Sequence, residues 1–134
     1  MFEFTDRRTT NGVILKTCGT KQVNENLLLY LYNSIHHKMN TIIQILHDNL
    51  PTLKAKYPLL SLGVYGSYSR GEETENSDLD IVYETLPDTF LNLHNYLSLQ
   101  KELSRITHLK IDLVNKKKMN EVVWLKAKKD VQYV

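Results

Sequence analysis

The sequence predicts an α/β domain with helices packed on a small sheet. Three observations lead there. Apolar residues recur at helical spacing from Met39 to Leu53. An apolar run of strand length, Leu59 to Tyr65, ends abruptly in Gly66-Ser67. A later segment, His108 to Val114, alternates with a period of two. The implied order of helix, strand, strand, helix, strand, helix belongs to the class in which helices cover a sheet.

Residues 1–37 are the least legible. Turn residues at Thr9 to Gly12 and Cys18 to Thr20 flank a short apolar run, Val13-Ile14-Leu15. The run Leu27 to Tyr32 fits a buried helix or a strand, and Asn24 to His37 reads better as helix. The six apolar side chains of that run need burial, either on this domain or in an interface. From Met39 a helix presents Ile42, Ile45, Leu46, Leu50 and Leu53 on one face, and Pro51 is expected to kink or restart it. The first strand is Leu59 to Tyr65, and the second is Asp78 to Glu84. Asp88-Thr89 is then expected to cap a helix with apolar positions Phe90, Leu93, Leu97, Leu99, Leu103 and Ile106. The third strand follows, and a last helix from about Met119 to Lys128 carries Val122, Val123 and Leu125.

At 134 residues the chain fits one compact domain, and its 42% hydrophobic content suffices for a core. The lone Cys18 forms no internal disulfide, and no leader or membrane-length apolar run is visible, so a cytoplasmic protein is expected. The net charge of +2 decides little, but its distribution is uneven. Seven acids and no Lys or Arg lie between Glu72 and Asp88, whereas nine basic residues against four acids follow from Lys101. Such blocks are commonly solvated faces; here the acidic one contains a pattern.

Strand alternation puts Asp78 and Asp80 on one side of their strand. Carboxylates that close repel unless a cation lies between them, and Mg2+ favours one or two carboxylates plus phosphate oxygens. An isolated Asp-x-Asp is also common in surface turns. Asp112 adds weight, because it interrupts an apolar strand; it is either an outward-facing residue or a third carboxylate of a two-metal site. Gly66-Ser67 follows a strand and opens a segment that can start a helix, which suits backbone approach to a phosphate. Arg70 can reach a phosphate or brace the acidic loop. Ser77 is expected to orient that loop by a local bond to backbone.

In combination, a strand, Gly66-Ser67, ten intervening residues, Asp78-x-Asp80 and a later strand with Asp112 resemble the nucleotidyltransferase superfamily typified by DNA polymerase beta. Gly66-Ser67-Tyr68-Ser69-Arg70-Gly71 and Ser77-Asp78-Leu79-Asp80-Ile81 look like its minimal, stand-alone branch. The resemblance runs from about Met39 to the closing Val131-Gln132-Tyr133-Val134, so residues 38–134 are expected to form the catalytic domain and residues 1–37 an extension of unknown role. Tyr65 stands where phenylalanine is usual, which should be neutral.

The resemblance implies a small mixed sheet flanked by helices. It also implies transfer of a nucleoside monophosphate, usually from ATP, with two Mg2+ ions held by Asp78, Asp80 and Asp112. Gly66, Ser67, Arg70 and Ser77 would serve the nucleotide. Only about 20 residues follow the Asp112 strand, leaving an open site that suits a macromolecular acceptor. Members of the branch act as antitoxins that attach AMP to a tyrosine of an all-helical HEPN ribonuclease toxin, and such a toxin is the expected partner. Two alternatives stay open: an antitoxin that works by contact alone, and a transferase acting on a small molecule or RNA. Lys116-Lys117-Lys118 with Trp124 is a thin basic and aromatic surface, better read as a solvated turn and a core tryptophan, so nucleic acid is not the expected partner. Neither oligomeric state nor the modified residue can be read from the sequence.

Overall fold

The structure, a computed structural model, describes residues 24–134. The turns expected around residues 9–12 and 18–20 lie outside this range. Helix α1 spans Glu25–Lys56, β1 Leu59–Tyr65, α2 Ser67–Arg70, β2 Leu79–Thr85, α3 Leu93–Thr107, β3 Ile111–Asn115, α4 Glu121–Ala127 and β4 Gln132–Tyr133; a 3-10 turn at Lys116–Lys118 precedes α4. The sheet order is β3-β2-β1-β4. Strand β1 is antiparallel to β2 and β4, whereas β2 and β3 are parallel, so the sheet is mixed as expected.

One sheet face carries Leu62, Val64, Leu79, Ile81, Tyr83, Ile111 and Leu113, all buried beneath α1 and α3. From α1 come Met39, Ile42, Leu46 and Leu53, and from α3 Leu99 and Leu103. The two helices expected on either side of residue 38 are one. Asn24 caps it through its side chain, and the helix continues through Pro51 without restarting. Proline removes one N–H, but its orphaned partner, the His47 carbonyl, lies on an exposed turn where water can serve. The run Leu27 to Tyr32 is not buried on the described domain: each residue stays 46–70% exposed.

Strand β3 is an edge strand, and α3 protects it. Tyr96 Oη donates to the Leu113 carbonyl (2.8 Å), Gln100 Nε2 to Ile111 (2.9 Å) and Ser104 Oγ to Leu109 (2.6 Å). Residues four apart on a helix stack on one face, so this row satisfies outward carbonyls that would otherwise invite another strand.

Three local expectations need correction. Asp88-Thr89 does not cap α3; Asp88 adopts a left-handed turn and Asn92 caps instead, accepting from Asn95 N at 2.8 Å. Phe90, Leu93 and Leu97 therefore lie on an exposed face, because Tyr96, Leu99, Leu103 and Ile106 form the inward one. Strand β3 starts at Ile111 because His108 turns left-handed and ends α3. Helix α4 leaves Val122, Val123 and Leu125 exposed; Trp124 is only partly buried, with the Lys116 ammonium 4.8 Å from its ring centre.

Among the described side chains of α1, those holding the core lie from Met39 onward, which sets a contrast. Leu46→Ala is expected to cost about 2–5 kcal/mol in urea unfolding, whereas Leu29→Ala should change stability by less than about 0.5 kcal/mol. Equal losses would mean that the N-terminal part of α1 is buried in solution.

Candidate active site

The opposite face of the sheet assembles the acids. Antiparallel pairing sets Tyr65 against Asp80, and parallel pairing sets Asp80 against Asp112. Directly paired residues point to the same face, so Tyr65, Asp80 and Asp112 form one row across three strands. Asp78, two residues before Asp80, joins that face one row away. The sequence thus brings its three candidate acids to one surface.

Glycine at 66 makes this row compatible with the turn above it. Its φ of 78° and ψ of −149° lie near a region essentially restricted to glycine. A Cβ there would sit 2.2 Å from Asp80 Oδ2. The backbone of the turn therefore rests directly on the Asp80 carboxylate. Ser67 opens α2, and Tyr68 is buried beneath it.

Arg70 braces the acidic loop rather than pointing away from it. Its Nε pairs with Glu72 at 2.8 Å, and a terminal nitrogen pairs with Asp130 at 3.2 Å. Ser77 accepts from Thr74 N at 2.8 Å, the local bond to backbone expected of it. Two further side chains join the surroundings of the site. Asp130 anchors Arg70 and, through its carbonyl, the Ser69 hydroxyl, from 60 residues away. Lys110 donates to Asp78 Oδ2 at 3.0 Å; its position two residues before Asp112 already placed it on the acid face.

The electrostatics are those of crowded like charges. Burial first, then Asp112 and Asp78, raise the Asp80 pKa, against a smaller opposing effect of Arg70. The Tyr65 phenol is pushed up to about 12 by burial and then by Asp80 and Asp112, and so stays protonated. Three carboxylates on one face supply the hard oxygen donors that Mg2+ takes, and their mutual repulsion is what a cation relieves. The donor chemistry therefore fits the metal. Their convergence is incomplete: among the described residues no three acidic, His or Cys side chains close around one point. The physical reason is at hand, since Asp78 turns to Lys110 and Asp80 lies against Gly66. No His takes part in such a group among the described residues.

Comparison with known proteins agrees with this geometry. The nucleotidyltransferase domain family matches residues 49–134. A Methanocaldococcus jannaschii protein, itself only provisionally named a protein adenylyltransferase, is 38% identical over 97 residues, covering 72% of this chain and 97% of the relative. The protein adenylyltransferase MntA of Thermococcus cleftensis is 31% identical over 98 residues, covering 72% of this chain and 95% of its own. Among solved structures, a toxin-antitoxin crystallised with AMP-PNP superposes with a TM-score of 0.52 at 26% identity, over 71% of this chain and 70% of that one.

Two outcomes are expected. Gly66→Ala should destabilise the fold by about 1–3 kcal/mol, the cost of strained backbone, read as a shifted denaturation midpoint. An unchanged midpoint would show that the turn can reshape. For Asp80, the folded state holds the proton more tightly than the unfolded chain, so stability falls as pH rises from the usual carboxylate value through the raised one. Asp80→Asn should therefore raise the melting temperature at neutral pH without divalent cations, and the gain should shrink as pH falls through the raised value and be gone below about pH 4, where an unshifted Asp also protonates. A variant that melts below wild type at neutral pH would contradict this electrostatic reading.

Proposed function

The chain belongs to the nucleotidyltransferase domain family, and from that premise we propose that it transfers AMP from ATP to a hydroxyl of a partner protein. The observation that carries this reading is the row Tyr65, Asp80 and Asp112, whose central carboxylate, Asp80, lies directly against Gly66 of the Gly66-Ser67 turn. A phosphate-holding backbone turn and a carboxylate cluster in contact are what phosphoryl transfer needs, since its catalysis is mainly positioning and charge neutralisation.

In this reading Gly66 and Ser67 hold the triphosphate through backbone N–H groups and a hydroxyl. Asp78, Asp80 and Asp112 would together hold the Mg2+ ions that accompany the triphosphate. Bound Mg2+ supplies neutralisation of the triphosphate charge and acidifies the acceptor hydroxyl. The acceptor oxygen attacks the α-phosphorus, the bond to the β-phosphate bridging oxygen breaks, and pyrophosphate leaves. Asp112, the most exposed acid of its row, takes the acceptor's proton or passes it to water. Arg70 and Ser77 position the intervening loop.

The acceptor we propose is a tyrosine of a HEPN-type ribonuclease toxin, which this cytoplasmic chain silences as its antitoxin. Support comes from the toxin-antitoxin crystallised with AMP-PNP, from the adenylyltransferase relatives, and from the open acid face. We further propose that residues 38–134 are the catalytic unit. Met39 is the first buried residue of α1 among those described, and aligned relatives match over 97 or 98 residues. A second reading, neutralisation by contact alone, is favoured by the exposed apolar run Leu27 to Tyr32.

Purified chain, Mg2+, labelled ATP and the helical partner decide between them. Asp80→Asn should reduce label transfer by at least about 10²-fold, while the complex still forms on size exclusion. Equal labelling by wild type and variant would exclude the catalytic role, and undiminished toxin silencing without labelling would establish the contact mechanism. A chain starting at Met39 should retain transfer; its loss from a variant that still melts cooperatively would place residues 1–38 in the catalytic unit.

A further inference from the structure

The first rung of the parallel β2–β3 pair is the bond from Leu79 N to the Lys110 carbonyl, 2.7 Å. With Leu79 paired to Ile111 and Asp80 to Asp112, the residue before each strand, Asp78 or Lys110, extends the same register. Two rows result on the acid face, Asp78 beside Lys110 and Asp80 beside Asp112. Neighbouring strands lie about 4.8 Å apart, and residues two apart along a strand about 6.6 Å. Asp78, Asp80, Asp112 and Lys110 thus stand at the four corners of one small rectangle on the sheet. The ammonium takes a carboxylate oxygen, Asp78 Oδ2, at 3.0 Å.

The two cations near this rectangle are held differently. Arg70 is committed to Glu72 and Asp130 outside it. The Lys110 side chain is 81% exposed and bonded to an acid that is itself 35% exposed, so water competes for both ends. An ion pair this wet is weak and exchanges easily. Yet it lies where like charges crowd, and it satisfies an oxygen that a hard cation would also seek.

We propose that Lys110 is a built-in counter-ion of the acid face: it neutralises Asp78 in the metal-free protein and gives Asp78 up to Mg2+. Lys110 is then a positioning residue that competes with the metal. This rests on the reading of Asp78 as a metal ligand and adds to it a residue that sets how readily the metal is taken up. Competition has a sign that a purely supporting role lacks, because removing the competitor tightens metal binding.

The test is Mg2+ titration of the full chain without nucleotide, by calorimetry, for wild type, Lys110→Met and Lys110→Arg. Lys110→Met should bind Mg2+ about two- to fivefold more tightly, the range expected for an exposed ion pair. Lys110→Arg keeps the charge and should stay within about twofold of wild type. Thermal melting gives a second readout: Lys110→Met should melt below wild type in EDTA, and saturating Mg2+ should erase the difference. Unchanged or weaker Mg2+ binding by Lys110→Met, or a melting deficit that persists at saturating Mg2+, overturns the proposal and leaves the metal reading intact. A wild-type chain that takes up no Mg2+ overturns both.

Discussion

The hydrogen-bonded register of two parallel strands forces Asp80 and Asp112 side by side, and most of the domain works to keep that pairing. Parallel strands cannot be joined by a tight turn, so a crossover is needed, and α3 supplies it. The helix does more than connect. Its Tyr96, Gln100 and Ser104 grip the β3 segment by backbone carbonyls, so a slip of β3 along β2 would break that row as well as the ladder. A slip by one residue would also turn Ile111 and Leu113 outward and Asp112 into the core. Core and acid face thus specify the same register.

The same pairing stores a conflict. Burial, and after it the crowding of carboxylates without a cation, raises the Asp80 pKa and holds the neighbouring Tyr65 phenol protonated. Natural sites tolerate such local cost where a ligand relieves it. The surroundings answer with modest countercharge, Lys110 on Asp78 and Arg70 tied to Glu72 and Asp130. Neither cation is buried against the acids, which leaves the face anionic and receptive.

Much of this was legible in the sequence, for identifiable reasons. A period of two revealed that Asp78 and Asp80 share a face, and an acid set between the apolar residues Ile111 and Leu113 of a strand made Asp112 conspicuous. The Gly66-Ser67 turn was readable because glycine after a strand implies a backbone constraint, which the contact with Asp80 makes specific. What escaped was long-range or subtle. Asp130 contacts Arg70 across 60 residues, and nothing local marks it. The start of α3 was misplaced because Asp88-Thr89 and Asn92 both offer capping side chains, and apolar residues on two faces blurred the stripe. Continuity of α1 was hidden by Pro51 and by an apolar run too uniform to show a period.

The parallel pairing also sets when in its life the chain can acquire a complete acid face. Gly66, Asp78 and Asp80 belong to one β1–β2 hairpin, and they leave the ribosome together. Asp112 is encoded 32 positions after Asp80, and the β3 segment that carries it docks only once α3 has been made. At synthesis rates of about 5–20 residues per second, the two paired acids appear roughly 2–6 s apart. A nascent chain therefore presents the turn and the first two carboxylates well before the third exists. On the proposed roles, a truncated or stalled product that retains the recognisable Gly-Ser and Asp-x-Asp segments still lacks the paired site. Competence arrives only with β3.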